Sequence, residues 1–193
     1  MSDRERWNGR YTAGEYPREP DEWLMQRTEL LRPDHNGARA LDLACGAGRH
    51  TLFLAGMGYE IDAWDISEVG LELLQHALLA EQPRDGRPLK VNPRQVDLET
   101  VDLPMHAYDL VLDLYFLDRR LLRQIPGALR PGGLVVVRTL MRRATGEDRN
   151  TFHLLGPGEL RQRFSALEQL EYAEDPVAGW TAVAARQRTA PTS

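Results

Sequence analysis

Sulfur is scarce in this chain: of 193 residues, one is cysteine. A lone Cys45 excludes an internal disulfide and a zinc site built on paired thiolates. Long apolar runs are lacking too, and none approaches the ~18 residues that a membrane span needs. The opening residues, Met1 to Arg6, are polar and charged, without the apolar stretch of a secretory signal. Excess basic charge is also missing, the net charge being −5. That argues against a nucleic-acid partner, which usually selects a basic face. What remains, 42% hydrophobic and 27% charged residues, is ordinary globular composition. The expectation is one domain with a small attachment, in a soluble cytoplasmic protein that does not contact a membrane.

The positive content concentrates between Arg39 and Asp65. A short apolar strand (Ala40, Leu41, Leu43, Ala44) carries one acid, Asp42, and opens into the turn Gly46-Ala47-Gly48. An apolar helix follows, Thr51 to Met57, and then a second strand, Glu60 to Trp64, ending on Asp65, 17 residues beyond Gly48. Strand, glycine turn, helix, strand and terminal acid make a nucleotide-binding βαβ unit. A dinucleotide site uses three glycines and seats pyrophosphate at the helix N-terminus. Here Thr51 stands in the third glycine position, and Asp42 lies where it would repel a phosphate. A carboxylate there suits a cation. S-adenosyl-L-methionine has a ribose, an adenine, an ammonium group and a sulfonium, and no phosphate, so it fits better than NAD.

Strand and helix then alternate. Strands are expected at about 39–44, 60–65, within 89–97, at 108–115 and at 134–140. Helices are expected at about 49–57, at 67–81 with Ser67 as cap, and at 119–129, stopped by Pro131-Gly132-Gly133. Residues 82–88 read as a Pro/Gly loop. Residues 141–157 have no regular period and many charges, and read as a long functional loop or lid. A short helix is expected from Gly158 to Phe164. Two last strands, about 167–174 and 180–187, are joined by Asp175-Pro176-Val177-Ala178-Gly179, short enough for a hairpin. Upstream, residues 1–20 hold Trp7, Tyr11 and Tyr16 among turn formers, too apolar for a disordered tail and too broken for a long helix. Asp21 to Leu31 reads as a helix with Trp23, Leu24, Leu30 and Leu31 as its buried stripe. The fold class is α/β: a Rossmann-like seven-stranded, mostly parallel sheet with an antiparallel last strand and helices on both faces.

The motif at 41–49, the acid Asp65, the pair Asp97-Leu98 and the run Leu129-Arg130-Pro131-Gly132-Gly133 resemble class I S-adenosylmethionine-dependent methyltransferases. More narrowly, Leu41 to Arg49, Gly58 to Asp65, and Gly158 to Arg161 followed by Tyr172 to Asp175 resemble the tellurite-resistance type of small methyltransferase. The stretch Trp7 to Tyr11 is similar to the aromatic lid of that group and of the thiopurine methyltransferases. The resemblance implies S-adenosyl-L-methionine as cofactor, with Asp42, Ala44, Gly46, Gly48, Asp65, Ile66, Asp97, Leu98, Asp113 and Tyr11 binding it. In that scheme Asp42 accepts from the methionine ammonium, Asp65 takes the ribose hydroxyls, and Asp97 and Leu98 flank the adenine. Asp62, on the same strand as Asp65, competes for the ribose but sits one pleat early. Ala44 stands where the family commonly has glycine. Residues 36–188 form the methyltransferase domain on this reading, 1–35 an N-terminal lid segment and helix, and 189–193 a frayed tail.

Asp113, Tyr115 and His153 are the catalytic candidates: the first two, at the end of the fourth strand, as lining of the methyl-donor pocket, and His153, in the long loop, as a general base or acceptor contact. The prolines that accompany base-amine methylation after that strand are absent. Cys45 reads as a buried structural thiol, and His50 and His76 as ordinary helix residues. Arg138, Arg142, Arg143 and Arg149 could hold an anion or be solvated. Relatives of the tellurite type carry a polar insertion with a His-Arg pair between the last strands. Only Pro176 to Gly179 stands there in this chain, so an acceptor role of that insertion does not carry over. No metal site is legible. The expected activity is methyl transfer to a small, soft or anionic acceptor. The alternatives are a methyltransferase acting on RNA or protein, or a cofactor-binding protein without catalysis.

Overall fold

Ser2 starts the first helix. Its hydroxyl accepts from the Glu5 N–H at 3.3 Å while the Glu5 carboxylate accepts from the Ser2 N–H at 2.7 Å, a reciprocal capping box. A computed structural model of the chain describes residues 1–80, 88–146 and 153–189, and in it this helix, α1, runs Asp3–Thr12. The sequence reading, which places no helix within residues 1–20, is corrected to that extent. A second correction follows. The helix expected over Asp21 to Leu31 is confined to α2, Glu22–Met25. Arg27 Nη1 takes the Trp23 carbonyl at 2.7 Å, the acceptor that the Arg27 N–H would need in a continuing helix. That N–H turns to the Leu24 carbonyl instead, and the guanidinium covers the Trp23 ring at 3.7 Å.

The chain forms two compact units, Met1–Val101 and Asp102–Ser193. The first holds β1 (Arg39–Leu43), α3 (Arg49–Gly56), β2 (Glu60–Asp65), α4 (Glu68–Ala80) and β3 (Val91–Gln95). Its strands run parallel in the order β3-β2-β1. The register sets Asp42 beside Ala63 and Leu43 beside Trp64, so the acids Asp42 and Asp65 come to the same strand edge. Apart from Pro88, the loop expected at 82–88 lies outside the described residues.

His50, buried on α3, ties the α2 segment to this layer: its ring Nε2 accepts from the Asp21 N–H at 3.2 Å. Burial first, then the Arg49 charge, pushes its pKa down to about 3. The folded state thus binds the neutral ring. Its contribution to stability is complete above the unfolded value of 6.5 and drains away as pH falls toward 3. His50→Gln, which keeps an acceptor but cannot titrate, should flatten the melting temperature between pH 6.5 and 4.5 relative to wild type. The difference should be about 1 kcal/mol per pH unit. Parallel acid profiles for the two proteins would refute it.

The second unit holds β4 (Tyr108–Leu114), α5 (Arg119–Ala128), β5 (Leu129–Leu140), α6 (Glu159–Arg163), β6 (Glu168–Asp175) and β7 (Trp180–Arg186), in strand order β4-β5-β7-β6. Leu110, Val111 and Leu112 are completely buried, as a strand covered on both faces requires. β5 starts at Leu129 rather than Leu134, a further correction. The pairing jumps from Tyr108 opposite Leu129 to Leu110 opposite Leu134, so the Pro131-Gly132-Gly133 signal makes an irregularity inside the strand instead of preceding it. β7 runs antiparallel to β5 and β6. The Asp175 carboxylate closes their hairpin by accepting from the Val177 and Ala178 N–H groups at 3.0 and 2.8 Å.

Both ends of the 141–157 segment are pinned, with Arg142 N–H donating to Leu155 and Leu155 N–H to Leu140. Residues 147–152, Arg149 among them, lie outside the described residues. Glu159 anchors the following helix by accepting from Arg119 at 2.8 Å and Arg163 at 2.6 Å. The strands together make the Rossmann-like, mostly parallel seven-stranded sheet that the sequence predicts, with its antiparallel last strand. No helix among the described residues is long and apolar enough to cross a membrane.

Candidate functional site

The end of β1 bends sharply because Ala44 adopts a left-handed conformation, φ +55, followed by Gly46 at +56 and Gly48 at +83. Alanine tolerates this at a cost on the order of 1 kcal/mol. Cys45 N–H donates to the Trp64 carbonyl and Gly48 N–H to the Cys45 carbonyl, fixing the turn against β2. Gly48 then caps α3 without any side-chain hydrogen bond.

Asp65 organises this turn. One carboxylate oxygen accepts from the Gly46 N–H and the other from the Ser67 N–H, each at 2.8 Å. The carboxylate is buried, and burial raises its pKa against the pull of those amides. An ionised carboxylate has about four acceptor positions, so two amides leave the group chemically able to receive ribose hydroxyls. Asp62, its competitor, faces Arg39 at 2.7 Å and Asn92 at 2.9 Å instead. Alternation along β2 separates the two acids.

Asp42 is buried at 1% exposure and accepts from the Thr51 hydroxyl at 2.6 Å. Burial drives its pKa up to about 7, and the neighbouring Asp65 charge adds to this against the Thr51 bond. Two buried acids beside one glycine turn make a poor cradle for pyrophosphate and a good one for an ammonium and a ribose. Cys45 is buried and burial pushes its thiol pKa well up, in keeping with a structural thiol.

Tyr11 lies directly on the turn. A Cβ built on Gly46 would fall 2.1 Å from the Tyr11 hydroxyl, and one on Gly70 would fall 3.0 Å from its ring. The absence of side chains at both positions is what admits the ring. Trp7 stacks on Tyr11 at 6.0 Å and Tyr16 tilts against it at 5.3 Å. Burial and the Asp65 charge both raise the Tyr11 pKa, so the phenol stays neutral.

Other expected residues are placed less tellingly. Asp97 is exposed and accepts from the Glu99 N–H at 3.0 Å, while Leu98 is buried. Ile66 offers its carbonyl to Gln95. In the second unit Asp113 is completely buried at the end of β4, Tyr115 follows it half-exposed, and His153 is exposed. Among the described residues no group of three or more His, Cys, Asp or Glu is placed to hold a metal.

Sequence reasoning missed two contributors: Thr51 as the donor to Asp42 and Asn8 as the partner of Ser67. Ser67 was legible as the cap of α4, and its hydroxyl does accept from the Gly70 N–H at 3.0 Å. That the same hydroxyl donates to Asn8 at 2.6 Å was not legible, because the partners are 59 residues apart.

Comparison with known proteins bears on the family and the fold. Residues 40–133 match a family model described as a methyltransferase domain. The "Probable S-adenosyl-L-methionine-dependent methyltransferase TehB" of Haemophilus influenzae (strain 10810) is 23% identical over 99 residues, 50% of this chain and 31% of that protein. The match thus spans less than a third of the length of that curated relative. The crystal structure of TehB from Haemophilus influenzae superposes with a TM-score of 0.74 at 19% identity, over 94% of this chain and 67% of that one. An S-adenosylmethionine-dependent methyltransferase from Mesorhizobium loti gives 0.65 at 21% identity, over 86% and 97%. At these identities the likeness shows the fold alone. The family's cofactor is S-adenosyl-L-methionine, and the acids and glycines at 42–65 suit it. Residues 40–133 therefore match the methyltransferase domain family, and the chain takes the fold of TehB.

Proposed function

We propose that this protein transfers a methyl group from S-adenosyl-L-methionine to a small, soft or anionic acceptor. The observation that carries the reading is the pair of buried carboxylates, Asp42 and Asp65, flanking a glycine turn under Tyr11. The bound cofactor would supply an electrophilic methyl on a sulfonium. Asp65 holds the ribose hydroxyls, Asp42 receives the ammonium, and Ala44, Gly46 and Gly48 let the backbone come close. Ile66, Asp97 and Leu98 border the adenine. Residues 1–35 act as a lid on the domain at 36–188, with Tyr11, backed by Trp7 and Tyr16, keeping water off a cation that water would stabilise. A soft or anionic acceptor needs positioning more than a base, so the reading calls for no acid–base dyad.

Asp42 makes the reading testable by proton linkage. With a pKa near 7 the free carboxyl is largely neutral below that pH, and an arriving ammonium favours its ionised form. Ligand binding must then expel the proton. S-adenosylhomocysteine affinity is expected to rise about tenfold per pH unit between pH 5 and 7 and to level off above. Calorimetry in buffers of different ionisation enthalpy should register the released proton, and Asp42→Asn should abolish both effects. Affinity that is flat with pH in the wild type would remove Asp42 from the ammonium. NAD binding without S-adenosylhomocysteine binding would remove the methyltransferase reading itself.

A further inference from the structure

Tyr115 follows β4 with φ +70, a backbone state that a bulky aromatic residue rarely takes and that costs about 1–3 kcal/mol unless its surroundings enforce it. Arg138 enforces it twice. The Tyr115 N–H donates to the Arg138 carbonyl at 2.8 Å, and Arg138 Nη1 donates to the Tyr115 hydroxyl at 2.7 Å. Burial of the ring does not offset the strain, since Tyr115 stays 44% exposed. Strain that holds an aromatic ring outward is more often kept for a ligand than for packing.

The neighbours are arranged in the same sense. Leu140 pairs with Trp180 and Arg138 with Ala182 across β5 and β7, so Arg138, Leu140 and Trp180 emerge on one face. The Arg138 guanidinium lies 4.8 Å from the Trp180 ring centre and 5.6 Å from that of Tyr115. Leu140 is 49% exposed. The bend after β4 and the ends of β5 and β7 therefore present an open phenol ring, a planar cation between two aromatics, and an apolar flank. Parallel α/β sheets take their ligands at this end of the strands.

Two simpler ligands match only part of this surface. A purely apolar molecule gives the guanidinium nothing to bind. A phosphate chain calls for cations and makes no use of the ring faces. A planar anion uses both, laying its π-system on Tyr115 and its charge on the edge of Arg138. We infer that Tyr115, Arg138 and Trp180 select the methyl acceptor, and that the acceptor is a planar conjugated anion. This deepens the methyl-transfer reading and rests on it.

The test titrates the full chain, saturated with S-adenosylhomocysteine, with three probes by ligand-observed NMR: benzoate, benzamide and cyclohexanecarboxylate. Benzoate is expected to bind at least fivefold tighter than either of the others. Arg138→Gln should weaken benzoate at least tenfold and erase its lead over benzamide. Tyr115→Leu should erase its lead over cyclohexanecarboxylate. Retained S-adenosylhomocysteine affinity and melting temperature certify that each variant is folded. If Arg138→Gln does not fold, Tyr115→Leu, at an exposed ring, decides alone. Equal affinities for the three probes, no benzoate binding at millimolar concentration, or benzoate affinity unmoved by the variants would overturn the inference. Failure of the wild type to bind S-adenosylhomocysteine would instead strike the methyl-transfer reading. The probe series, repeated without it, would still judge this surface.

Discussion

Asp65→Ala is expected to weaken S-adenosylhomocysteine binding by about 2–4 kcal/mol, roughly 30- to 1000-fold. Two losses add. The ribose hydroxyls lose charge-assisted bonds, each worth about 1.5–3 kcal/mol where the site is desolvated. The Gly46 and Ser67 N–H groups, now 2.8 Å from the carboxylate, lose their acceptor, and the glycine turn loses the brace that shapes it. Asp65→Asn should fall between, because one amide oxygen still serves Ser67 while the –NH2 opposes the Gly46 N–H. The measurement is calorimetric titration, with the melting temperature as control for folding. An alanine variant within threefold of wild type would show that another group reads the ribose.

The second large effect concerns stability. Gly48→Ala is expected to cost about 2–4 kcal/mol, or roughly 5–15 °C in melting temperature. Gly48 has φ +83, and a Cβ there would stand 2.3 Å from the Leu74 Cδ1 and 3.2 Å from its Cβ. Leu74 is completely buried on α4, so relief requires the helix to move. Gly46→Ala makes a useful contrast. Its clash is with the far end of the Tyr11 side chain, which α1 can withdraw. Gly46→Ala should therefore melt within a few degrees of wild type, losing cofactor affinity rather than fold. Equal melting temperatures for Gly48→Ala and wild type would contradict the packing argument.

Much of this was legible because the signals are local. The acid–glycine-turn–helix sequence at 42–51 and the alternation that separates Asp65 from Asp62 both lie within one βαβ unit. The buried strand Tyr108–Leu114 could be read from apolar content alone. The first helix was hidden by composition: Trp7, Gly9 and Tyr11 outweighed the Ser2–Glu5 capping signal that in fact starts it. The helix after Pro20 was read too long because the apolar stripe continues while the backbone does not. Arg27 claims the carbonyl that the next turn needed. Thr51 with Asp42, Ser67 with Asn8, and Arg138 with Tyr115 depend on tertiary approach, and no period or motif announces such pairs.

The bond between Ser67 and Asn8 has a consequence for the order of events. Ser67 gives its amide to Asp65 and its hydroxyl to the first helix, and no residue of that helix is fully buried. One serine thus joins Asp65 to the first helix, which in the proposed function are the ribose acid and the cover. Whatever firms the acid firms the helix, and by thermodynamic reciprocity the helix returns the same free energy to the ligand. If the helix is the lid proposed above, entry precedes its docking and undocking precedes exit. Turnover would then be paced by departure of the spent cofactor rather than by the methyl shift, and trimming Asn8 to alanine would speed that departure while loosening the grip.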